Sequence, residues 1–139
     1  MPRKNLELTP EAIAVLDDEA PDRGRGDFVS RTIVEAHRAL VGAIHYARAC
    51  GWRPGEMAAV CDALKSTWAD LPLSGLDLAV ELEDAARFEG LVAKWEIDGD
   101  EWRPRVAALA KDIRLAGALW IFSRAYWSGS DLARRVIAG

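Results

Sequence analysis

The chain has 139 residues, half of them apolar, enough for one compact domain or for a small module joined to a second of about 90 residues. A formal net charge of −4 excludes a polybasic nucleic-acid coat while leaving room for local positive sites. Two cysteines, Cys50 and Cys61, are too few for a disulfide scaffold, and the polar opening MPRKNLELTPE lacks the apolar run of a signal peptide, so a cytoplasmic protein with reduced thiols is expected.

In chain order, residues 3–8 (RKNLEL) alternate, with Leu6 and Leu8 on one face and Arg3, Asn5 and Glu7 on the other. A single strand cannot stand alone, because even an isolated two-stranded hairpin is marginal in water. No good second strand follows, so the segment is either a tail or a strand that pairs with its own copy. Thr9 is placed to cap a helix, Pro10 suits its first position and Glu11 its first turn. That helix runs through EAIAVLDDEA with Ala12, Ile13 and Leu16 inward, and Pro21 ends it. A turn, PDRGRG, leads to a second helix from about Asp27, whose stripe is Phe28, Val29, Ile33, Ala36 and Leu40 and which continues towards Ala49. Arg25-Gly26-Asp27 spells an adhesion tripeptide, but nothing in the sequence supplies the extracellular setting that adhesion needs.

Gly51 and Pro54 punctuate a seam at ACGWRPG (49–55), and all six tryptophans lie beyond residue 51. After the seam the pattern is helical throughout. A first helix carries Met57, Val60/Cys61, Leu64, Trp68 and Leu71, and PLSG then turns the chain, with Ser74 and Asp77 resembling a capping box. A second carries Leu78, Leu82, Ala85, Phe88, Val92 and Trp95 and stops before DGD (98–100). A third is expected from about Pro104 to Trp127, apolar on nearly every side between Leu115 and Phe122 and therefore central. Lys111, Asp112, Arg114 and Arg124 interrupt it too often for a membrane span. Ser130 is placed to cap a short last helix, LARRVIAG. The repeated Trp-Arg-Pro at 52–54 and 102–104 is read as coincidence.

A short strand, a helix opened by LTPE, a turn with arginine and glycine, and a helix opened by acid-Phe-Val resemble the ribbon-helix-helix family of prokaryotic DNA-binding proteins, the MetJ/Arc class. The resemblance covers residues 3–48. Taken with the helical pattern after the seam, it implies a mostly α protein in two parts. Residues 1–50 would form a ribbon-helix-helix module for DNA binding and dimerisation, with one strand pairing between two chains and two helices. Residues 51–139 would form an α-helical domain of about four helices for oligomerisation or effector binding. The ribbon would enter the major groove of double-stranded DNA, with Arg3, Asn5 and Glu7 facing the bases. The second helix's N-terminus would sit on phosphate, through Arg23, Gly24, Arg25 and Gly26. The implied function is a transcriptional regulator, a repressor acting as a homodimer or higher oligomer. An antitoxin that neutralises a toxin through residues 51–139 and an all-α interaction module without DNA binding are the alternatives.

No enzyme activity, cofactor or metal is expected. His37 and His45 are eight apart and make no i,i+4 ligand pair with each other or with Cys50 and Cys61. No Ser, His and acid fall in a nucleophilic arrangement, and Glu81, Glu83, Asp84 and Glu89 read as a solvated acidic face. Trp68, Trp95, Trp120 and Trp127, on apolar stripes, are expected in the core, although aromatic residues also line interfaces and ligand pockets.

Overall fold

The computed structural model describes residues 8–19, 25–65 and 75–139, with the backbone alone at 25 and 75–77. Eight helices are present among them: α1 (Pro10–Glu19), α2 (Arg25–Ala49), α3 (Pro54–Leu64), α4 (Gly75–Glu83), α5 (Ala85–Trp95), α6 (Gly99–Ala108), α7 (Ile113–Trp127) and α8 (Asp131–Ala138). No strand occurs among the described residues. This corrects the ribbon-helix-helix fold class: the described chain is all-helical. The physical reason is that a lone strand has no partner within one chain to share its hydrogen bonds, whereas α1 starts at Pro10 as expected, the Thr9 hydroxyl accepting the Ala12 N–H at 3.2 Å. Leu8 stands directly before that helix and pairs with no strand among the described residues. The rest of the expected strand lies outside the described residues.

The chain's contacts divide it into two units, Met1–Arg38 and Ala39–Gly139, and the division falls inside α2. In the first unit, Leu16 is the one buried side chain among the described residues. The second unit holds a continuous apolar core to which α2 contributes Leu40, Ile44 and Ala47.

Within that second unit α3 is the enclosed helix. Every residue from Glu56 to Cys61 is buried, and α3 packs against α5, α7 and α8. The segment expected to be central, 115–122, is buried on one face only. Leu115, Leu119 and Phe122 point inward on α7, while Gly117 is exposed and Trp120 and Ile121 are half-buried. Two expected helices are each split by an aspartate that caps a new one. Asp84 accepts from the Arg87 N–H and opens α5. Asp112 accepts from the Leu115 N–H and opens α7, leaving Pro104 inside α6 and not at a helix entrance.

The two Trp-Arg-Pro segments meet in space. Trp102 is fully buried, stacks on Phe88 with ring centres 5.1 Å apart, and meets Trp52 edge-on at 6.2 Å. Beside them Glu56, 2% exposed, accepts from the Arg53 N–H at 2.9 Å, which fixes the start of α3. It also accepts from Arg105 Nε at 3.0 Å and Nη2 at 2.5 Å. This fork joins α3 to α6 and raises the Arg105 pKa, chiefly through the Glu56 hydrogen bond.

Candidate functional site

The apolar surface that most needs a partner lies in the N-terminal unit. Residues 12, 15 and 16 share one face of α1, and residues 28, 29, 32 and 33 share one face of α2, as the helical repeat dictates. Between these faces, with Leu8 at one edge, runs a groove of about 300 Å³. Leu8, Val15 and Ile33 in it are 40%, 51% and 57% exposed, and Ile13 and Val34 outside it are 45% each. Among the described residues Thr32 is the one polar side chain lining the groove, and its hydroxyl already donates to the Phe28 carbonyl at 2.8 Å. Covering the groove would strand no polar group. Removing each half-exposed aliphatic side chain from water contributes about 1 kcal/mol.

Charge differs between the two helices. Helix α1 carries Glu11, Asp17, Asp18 and Glu19 with no basic residue. From its start to Arg38, α2 carries Arg25, Arg31 and Arg38 against Asp27 and Glu35. The two helices thus differ in charge, α1 acidic and this part of α2 weakly basic. This arrangement supports non-covalent docking and offers no nucleophile or acid-base pair.

The expected DNA contacts divide as follows. Arg3, Asn5, Glu7, Arg23 and Gly24 lie outside the described residues. Arg25 is the first residue of α2, and Gly26 stands in that helix's first turn, not in a preceding loop. Gly26 is exposed, with no atom within 4 Å of where a side chain would begin. His37 and His45 are exposed, Cys61 is buried, and no cluster of three metal-ligating side chains occurs among the described residues. Burial pushes the Cys61 thiol up to about 12. On the acidic face, Glu81 pairs with Arg87, and Glu89 lies 3.9 Å from Arg103.

The tryptophans change places with respect to expectation. Trp127 is 36% exposed and Trp95 and Trp120 are half-buried, while Trp52 and Trp102 belong to the core. Trp68 lies outside the described residues. Two of these, Trp95 and Trp127, are the last residues of their helices. Val15 and Val34 were missed because they sit beside the primary apolar stripes. The signal was present in IAV (13–15), apolar on successive positions and hence on more than one helix face.

Comparison with protein-family models, curated proteins and solved structures finds no match for this chain.

Proposed function

We propose that this chain is an all-helical interaction module that acts as a homodimer, the α1/α2 groove of one copy closing on that of another. The observation that carries the reading is an apolar groove whose described polar side chain is satisfied, on a unit with one buried side chain among its described residues. A unit of this size rarely holds together without a staple, a metal or a partner chain. The partner of choice is a second copy, because a two-fold axis can set the acidic α1 of one copy against the arginine-bearing α2 of the other. Sedimentation of the full chain tests it. The wild type should sediment as a dimer, and Ile33→Glu and Val15→Glu should each yield monomers with helical circular dichroism retained from the C-terminal unit. A wild-type monomer at high micromolar concentration would end the proposal.

A second reading, a DNA-binding transcriptional regulator, is favoured by one observation. Helix α2 opens at Arg25 with Gly26 exposed in its first turn, and such a turn presents free N–H groups that suit a phosphate. Fluorescence anisotropy with random duplex DNA at low salt, followed by site selection, decides it. A regulator should bind with a salt slope that Arg25→Ala reduces by about one. Absence of binding at low salt leaves the interaction module.

A further inference from the structure

A second concave site lies in the C-terminal unit, walled by α3, α5 and α7, and encloses about 190 Å³. Ala58 and Cys61 of α3 form its floor, and Trp95, Tyr126 and Trp127 form its walls. Both indole N–H groups are used within the chain. Trp95 donates to Asp62 at 3.1 Å, and Trp127 donates to the Cys61 carbonyl at 2.8 Å. Tyr126 meets Trp127 edge-on with ring centres 5.0 Å apart. These bonds orient the two indole rings and leave neither N–H for an incoming molecule.

Two ammonium groups stand at the rim. Lys94 donates to Asp62 at 2.6 Å and lies 5.4 Å from the centre of the Trp95 ring. Lys65 lies 5.0 Å from the centre of the Trp127 ring and makes no ion pair with a described residue. One carboxylate faces two cations, leaving one positive charge in excess at the rim among the described residues. The space is smaller than the roughly 300–1,000 Å³ of pockets that hold drug-sized ligands. A single ring fits the scale; a nucleotide does not.

We propose that this cleft binds a small planar aromatic carboxylate, its ring against Trp127 and its carboxylate on Lys65. An aromatic ring replaces the Lys65 ammonium on the indole face, and the freed ammonium meets the ligand's charge. This inference does not depend on dimerisation through α1 and α2.

The test uses the full chain, with benzoate as probe and tryptophan emission and calorimetry as readouts. Benzoate should give a saturable change in emission, with benzylamine, its cationic counterpart, at least tenfold weaker. Lys65→Gln should weaken benzoate at least tenfold, while Lys65→Arg retains it. Lys65 is an exposed residue at the end of α3, so both variants should keep the wild-type circular dichroism. Three results would overturn the proposal: no saturation by about 10 mM benzoate, where a millimolar site would be full; tighter binding of benzylamine; or unchanged affinity in Lys65→Gln.

Discussion

At the scale of single residues, most stability rests on a few side chains with more than one partner. Trp102 touches both Phe88 and Trp52 and has no exposure, so Trp102→Ala should cost about 3–5 kcal/mol in urea denaturation. Glu56 is the second such position. Glu56→Ala removes the acceptor for the α3 start and for Arg105, and about 2–4 kcal/mol is expected, less than for a wholly buried pair because Arg105 is partly wet. Glu96 ends α5 in the left-handed region at φ 53°, a conformation that suits glycine; Glu96→Gly should raise stability by about 0.5–1 kcal/mol in the same measurement. Asp62 gives a pH signature. Burial opposes its charge, but hydrogen bonds from Lys94 and Trp95, with the charges of Lys94 and Lys65, outweigh it and lower its pKa. Folding thus favours the ionised form. The contribution is complete above the unfolded value of about 3.9 and vanishes as pH falls through the lower folded value. The stability gap between wild type and Asp62→Asn should therefore be constant near neutrality and close below pH 4.

At the scale of elements, what the sequence could and could not reveal follows from the kind of signal each helix carries. Helices α1, α3 and α8 start at or near the expected positions because Thr9, Pro54 and Ser130 stand immediately before an apolar repeat or open it. The breaks at Asp84 and Asp112 were hidden. Each aspartate lies within an apolar stripe that keeps its spacing across the break, and a solvated mid-helix aspartate looks the same in sequence as a cap. Asp112 does more than cap α7, since both of its oxygens accept from the Tyr46 hydroxyl, at 2.9 and 3.2 Å, which ties in α2. Tyr46→Phe should cost about 1 kcal/mol and Asp112→Ala about 2 kcal/mol, with the double variant costing less than the sum. Additive costs would mean that the hydroxyl contributes nothing to α7. The groove was half legible: Phe28, Val29 and Ile33 stood out as a stripe, but a stripe alone does not say whether it faces the chain's own core or another molecule.

At the scale of the whole molecule, the sequence divides sharply in its chromophores. Every tryptophan and both tyrosines, Tyr46 and Tyr126, lie in the unit that begins at Ala39, and none lies before it. Indole and phenol absorption and indole emission therefore report on one unit, whereas far-ultraviolet dichroism reports on both. If the N-terminal helices are held by a second copy, dilution should lower the helical signal while indole emission stays constant, and Ile33→Glu should show that loss at every concentration. Coincident transitions by the two probes would mean that the units melt together. The chain thus carries its own internal reference: a spectroscopically silent segment whose order can be followed, without any label, as the difference between two optical signals from a single cuvette.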